Sequence, residues 1–410
     1  MARPSTTKNG TTAGRAASRG SNQTGVRAYN ERLVMSLVRR HSGLAKAEIA
    51  RRTGLSAQTV SVIMRALEKD GLLVRGAPVR GRVGQPSVPM HLDPEGAFSF
   101  GMKIGRRSAD LVLMDFMGTV RAQLHEAFPY PTTGNMLRFI EKGVSTLGAS
   151  LDARQRSRIA GVGLAMPFEL WNWAEEVGAP AGAIEEWRSF DLMAEVAEIL
   201  PYPVFLENDG TAACGAELAF GHGADHPDFL YLFIGSFVGG GIVLNNALYP
   251  GRTGNAGAIG SMPVPGPDGR PVQLIEAASI FVLERMLKAG GIDPSPLWLS
   301  PDDWSDFGAP LEQWIAGTAK SLAHAVVAAS SVIDFPTVII DGGFPVSVKT
   351  RIVEATAAAL PDLDLQGIAA PRILAGGVGS NARAIGGASL PLFKRYLLDR
   401  NVLFKEVIED

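Results

Sequence analysis

Short apolar runs that stop on glycines recur from residue 98 onward. Phe98 to Ile104 runs into Gly105, and Leu230 to Ile234 into Gly235. Val338-Ile339-Ile340 leads through Asp341 into Gly342-Gly343, and Ile373-Leu374-Ala375 into Gly376-Gly377. Runs this short are strand-sized, and glycine at their ends permits tight turns or the close approach of a ligand or another backbone. Ala109 to Met114, Thr119 onward, Ile159 to Ala165 and Val204 to Glu207 read as further strands. Gly239-Gly240-Gly241 reads as a turn between Leu230–Ile234 and Gly241–Leu244. Helical segments follow, from about Met136 to Leu151 and from Gly210 to about Phe220. Strands alternating with helices predict an α/β fold.

The first ninety residues are different in kind. They hold sixteen Lys and Arg against Glu31, Glu48, Glu68 and Asp70, a net of +12, whereas residues 91–410 carry a net of −14. A split of this size directs the first part at a polyanion; a basic tail that only aids solubility is the plainer alternative. The single cysteine, Cys214, excludes a disulfide scaffold and a thiolate-rich zinc site. The longest uncharged run, Phe229 to Gly251, is broken by glycines, Asn245-Asn246 and Pro250. It therefore reads as strand, turn, strand and loop rather than a membrane span. Without an apolar leader after the first basic residues, the expected location is cytoplasmic.

Residues 1–25 have almost no apolar content and read as a flexible basic tail. From Val26 a helical stripe of Leu33, Val34, Leu37 and Val38 begins. Lys46 to Thr53 forms a short helix ended by Gly54, Ser56 is placed to cap the next helix, and Val60, Ile63, Met64 and Leu67 follow at helical spacing. Two helices joined by a short glycine turn make a helix-turn-helix. Leu72 to Arg75 then starts a strand, and the Arg/Gly/Pro-rich stretch to Pro89 suggests a wing or linker. Residues 26–90 are thus a winged helix-turn-helix. The recognition helix offers Ser56, Ala57, Gln58, Thr59 and Ser61 to double-stranded DNA, with Gln58 suited to adenine and Ala57 or Thr59 to a thymine methyl. Arg51, Arg52 and Arg65 are suited to phosphates, and each of them could also be ordinary solvated surface. Arg80 and Arg82, in Arg80-Gly-Arg82, suit a narrow A·T-rich minor groove.

From Val26 to about Phe393 these landmarks together resemble the ROK family of sugar-responsive repressors and sugar kinases. The resemblance implies a two-lobed actin/hexokinase-like α/β domain over residues 91–410, for sensing and for assembly as a homodimer or tetramer. Gly101 to Gly105 is similar to the family's first phosphate hairpin. Asn208-Asp209-Gly-Thr-Ala-Ala213 resembles its sugar-binding and catalytic segment, and Gly235 to Gly241 its second phosphate loop. Gly254-Asn255-Ala-Gly257 resembles its sugar motif. The resemblance makes Asn208, Asp209 and Asn255 sugar-binding residues, Gly239, Gly240 and Gly241 a degenerate nucleotide loop, and Asp209 a vestigial general base.

The departures from the family's pattern point away from catalysis. Lys103 stands where the kinases have an aspartate, and a lysine cannot ligate Mg²⁺. Arg106 and Arg107 follow where small residues are expected, and Phe237 replaces a glycine. Ala258 and Ser261 replace the family's Glu and His. The zinc loop is represented by Pro263 to Gln273, which has neither Cys nor His, so no metal and no cofactor are expected. His222 and His226 read as solvated loop residues. The expected function is a sugar-responsive transcriptional regulator, repressor rather than activator, that does not act as an enzyme. An active ATP-dependent sugar kinase fused to a DNA-binding domain is the alternative. A DNA-binding protein whose second part only dimerises is the third reading.

Overall fold

In the computed structural model the described residues are 23–41, 43–78, 88–168, 170–174, 178–180, 182–299 and 302–398. Three helices open the chain: α1 (Gln23–Arg40), α2 (Lys46–Thr53) and α3 (Ala57–Lys69). Helix α1 overlaps the expected tail by three residues, 23–25. Gly54 closes α2 at φ 72°, and Ser56 caps α3 by accepting the Thr59 N–H. Ile49, Val60, Ile63, Met64 and Leu67 are buried between the helices. Strand β1 (Leu73–Arg75) pairs antiparallel with β2 (Met90–Leu92), so the wing closes two residues beyond the expected boundary at 90. Arg80 and Arg82 lie outside the described residues.

The rest is two sheets of five strands with the same order. The first runs β5-β4-β3-β6-β7: β3 (Phe98–Ile104), β4 (Ser108–Asp115), β5 (Val120–Ala127), β6 (Ile159–Met166) and β7 (Val204–Asn208). Helix α4 (Thr133–Gly148) lies between β5 and β6 in sequence, and α5 (Leu192–Ile199) between β6 and β7. Helix α6 (Asp209–Phe220) follows β7 directly. The second sheet runs β10-β9-β8-β13-β14. It contains β8 (Phe229–Ile234), β9 (Val238–Leu244), β10 (Ala247–Leu248), β13 (Thr337–Gly342) and β14 (Arg372–Ala375). A small hairpin, β11 (Pro263–Pro265) with β12 (Pro271–Gln273), precedes α7 (Ile280–Ala289) and α8 (Gly308–Ser330). Helix α9 (Val346–Ala359) connects β13 to β14, and α10 (Ala382–Tyr396) follows β14. In each sheet three antiparallel strands are extended by two parallel ones. The architecture is the actin/hexokinase-like α/β fold behind a winged helix-turn-helix.

The helix that leaves each sheet packs on the other. A Cβ added at Gly241 of β9 would sit 2.5 Å from the Cβ of Cys214 in α6. Likewise α10 lies on the first sheet, where a Cβ at Gly101 would meet the Ala384 carbonyl oxygen at 2.1 Å. The two helices touch along their backbones: a Cβ on Gly386 of α10 would lie 2.0 Å from the Ala212 carbonyl oxygen of α6. The glycine turn expected at 239–241 is therefore corrected. These residues lie inside β9, and the turn is 235–237. Their lack of side chains lets β9 pass under α6.

The first three helices share a core with this domain. Val34, Met35 and Val38 of α1 belong to one buried cluster with Phe116, Leu392 and Leu397. Arg158 donates to the Asp70 and Gly71 carbonyls at the end of α3, both at 2.9 Å. No helix among the described residues is long and apolar enough to cross a membrane.

Candidate DNA interface and effector cleft

The exposed face of α3 carries Ala57, Gln58, Val62, Arg65 and Lys69. Ser61 and Thr59 are half-buried, and the Thr59 hydroxyl lies 2.8 Å from that of Ser56, so these two hydroxyls serve the helix cap first. Arg65 donates Nε to the Ser61 carbonyl at 3.1 Å and remains exposed. Arg51 and Arg52 both bind Glu48, and Arg75 binds Glu68, which takes three cations into local pairs. The sequence reading missed Val62, which is 48% exposed. The signal was present: with Val60, Ile63, Met64 and Leu67 facing inward, an apolar residue at 62 has to face outward.

The other candidate residues lie at the start of α6 and on the loop after β10. Asn208 caps α6, its Oδ1 accepting the Gly210 and Thr211 N–H groups at 3.0 and 3.3 Å. Asp209 begins the helix, and its Oδ2 accepts from Arg383 Nη1 at 3.3 Å. Arg383 stands at the start of α10, its guanidinium 4.7 Å from the Phe233 ring centroid, with Nε buried and without a hydrogen-bond partner. Asn255 is exposed on a loop leading to Gly257, whose backbone lies against Gly241. The structure therefore sets Asp209 against Arg383 and leaves Asn255 exposed on its loop. Arg383 has no motif around it and lies far from Asp209 in sequence. Only the fold brings the two together.

The turn after β3 and the turn between β8 and β9 close on each other. Arg106, in the turn after β3, stacks on Phe237, in the turn between β8 and β9, with the guanidinium carbon 3.6 Å from the ring centroid. Phe237 packs edge-on against Phe281 of α7 at 5.1 Å. Arg107 lies over the Phe281 ring and 3.7 Å from Glu284. Lys103 is buried. Its ammonium donates to the Ser108 hydroxyl at 2.8 Å and to Asp110 at 3.0 Å. Burial lowers its pKa to about 8 against the pull of Asp110. Burial alone would raise the Asp110 pKa, but Lys103 and His125 together hold it well below the carboxylate range. The hydrogen bond to Asp110 raises the pKa of His125. Among the described residues no group of three or more His, Cys, Asp or Glu is placed to hold a metal.

At the far ends of α6 and α10, α1 is docked. Arg39 donates to the Ala219 carbonyl at 2.9 Å and sits between the Phe220 and Phe393 rings, 5.3 and 5.2 Å from their centroids. Burial, with Arg40 nearby, lowers its pKa to about 10, so it stays charged at neutral pH. Arg32 donates to the Leu397 carbonyl at 2.9 Å, and the Ser36 hydroxyl accepts the Leu398 N–H at 2.8 Å.

Comparison with known proteins agrees with this geometry. Residues 27–74 match the winged helix-turn-helix DNA-binding family, and residues 99–274 match the ROK family. The chain is 24% identical over 380 residues to the uncharacterized protein y4fQ of Sinorhizobium fredii, covering 90% of this chain and 92% of that one. It is 25% identical over 248 residues to the xylose repressor of Bacillus subtilis, covering 60% of this chain and 62% of the repressor. The crystal structure of a ROK family transcriptional regulator, a homolog of the E. coli MLC protein, superposes with a TM-score of 0.64 at 18% identity, over 93% of this chain and 98% of that one. Residues 99–274 are thus a ROK family domain, preceded by a winged helix-turn-helix over residues 27–74.

Proposed function

We propose that this protein is a transcriptional regulator that binds double-stranded DNA through α3 and its wing, responds to a sugar-type effector in the cleft, and does not phosphorylate that sugar. The observation that carries the reading is the Asp209–Arg383 pair. A general base must offer its carboxylate to the sugar hydroxyl, and here a guanidinium engages it. The Arg106–Phe237 stack fills the space between the two turns that would hold phosphates. Arg383 Nε supports a polar ligand: a buried N–H without an acceptor costs about 1–3 kcal/mol, and a sugar hydroxyl oxygen would satisfy it. The names of the relatives support repression over activation. By fold analogy the working form is a cytoplasmic homodimer or tetramer reading two half-sites spaced by whole helical turns.

The test has two arms on the full chain. Pentoses, hexoses, N-acetylhexosamines and their phosphates are screened by thermal shift, since a ligand that prefers the native state raises Tm. Hits are then assayed for release of a duplex selected from a random library and for ADP formation with ATP. Ligand-dependent release without ADP is the expected result. Sugar-dependent ADP formation abolished by Asp209→Asn would establish the kinase alternative instead.

A further inference from the structure

Helices α6 and α10 leave different sheets, cross to the opposite ones, and run alongside each other in step. Asp209 faces Arg383, Ala212 abuts Gly386, and Phe220 and Phe393 flank Arg39. Any rotation of one sheet against the other must therefore slide these two helices. The Ala212–Gly386 contact is backbone against backbone, so it leaves little slack. One end of the pair carries the Asp209–Arg383 contact, where the effector is proposed to bind. The other end grips the first helix of the DNA-binding part through one flat cation between two rings, one ring from each helix. Glu217 adds a cross-tie, its buried carboxylate in α6 accepting the Gly377 and Val378 N–H groups just ahead of α10.

We infer that Arg39 is the coupling residue between cleft and DNA: it senses the offset of α6 relative to α10 through Phe220 and Phe393, and the Asp209–Arg383 pair sets that offset from the other end. A hydroxylated ligand that takes Asp209 as an acceptor competes with Arg383 and so frees the offset. The DNA and effector assignments come from the function proposed above, but the structural coupling can be tested without either ligand.

Arg383 and Phe393 are ten residues apart, about 15 Å along the helix axis. Substitutions at that separation ordinarily act independently. A double-mutant cycle on the full chain pairs Arg383→Met with Arg39→Met, and separately with Arg39→Lys, which keeps the charge and stem but loses the flat face. Two readouts are taken: amide exchange across residues 23–40, and affinity for the duplex selected by the wild-type protein. Arg383→Met alone should speed exchange in α1, although it touches none of it. The effects should be non-additive by about fivefold or more, the lower end of allosteric coupling. Additive effects on exchange with both Arg39 variants would overturn the inference. A wild-type protein that selects no duplex would instead count against the proposed function, leaving the exchange cycle to decide the coupling.

Discussion

Val62 stands out of the core on the middle of α3, in line with Gln58 and Arg65. An apolar side chain there suits the methyl group of thymine in the major groove. Replacing the contacted thymine by deoxyuridine should cost wild-type protein about 0.8 kcal/mol, one methyl's worth of burial, and cost Val62→Ala much less. Competition binding on the selected duplex measures both. Gln58→Ala should relax one base position by about 1–3 kcal/mol of discrimination. The Asp110–His125 pair offers a pH test. His125 has its pKa raised by Asp110, so the pair's stabilisation is complete below the ordinary histidine value of about 6.5 and disappears as pH rises through the higher folded-state value. The Tm difference between wild type and His125→Asn should therefore be larger at about pH 5.5 than at about pH 8.5. An unchanged difference would mean that the imidazolium–carboxylate contact contributes nothing. The exposure of Gln58 on α3 and the place of Asp209 at the start of α6 were legible because local pattern marks them. Arg383 and Arg39 were not, since their roles depend on partners 174 and 180 positions away.

At the scale of elements, the same substitution probes two kinds of glycine. Gly54 has φ 72° and open space around a would-be Cβ, so Gly54→Ala pays only for the left-handed backbone, about 1–2 kcal/mol. Gly386→Ala drives a methyl into the Ala212 carbonyl and should cost about 3 kcal/mol or more. Denaturant unfolding of the two variants separates strain from collision, and equal losses would contradict this picture. Most strands and helices were readable in advance, because apolar runs of strand length and helical stripes are local signals. The β9 glycines were misplaced for a related reason. A Gly-Gly-Gly run signals a turn when viewed alone, and its true role, making room for α6, is visible only in three dimensions. The expected limit of the wing at 90 fell short because β2 is held by pairing with β1 and not by any composition change.

Over the whole molecule, charge and core lead to separate expectations. With Arg51, Arg52 and Arg75 already paired to glutamates, DNA binding should fall with salt less steeply than the log–log slope of about −14 that all sixteen Lys and Arg of residues 1–90 would give. Titrations at several salt concentrations measure the slope. The buried cluster that α1 shares with Phe116, Leu392 and Leu397 implies that the DNA-binding part and the two-sheet domain melt together. Calorimetry of the full chain should show one cooperative transition where separate modules would show two. The same cluster governs what can be rebuilt. A recombinant regulator made by grafting residues 23–92 onto a foreign sensor would lose Phe116, Leu392 and Leu397 from the cluster that buries Val34, Met35 and Val38. Chimeras of this protein should succeed only when the junction is drawn through α10 as well, so that α10 travels with α1.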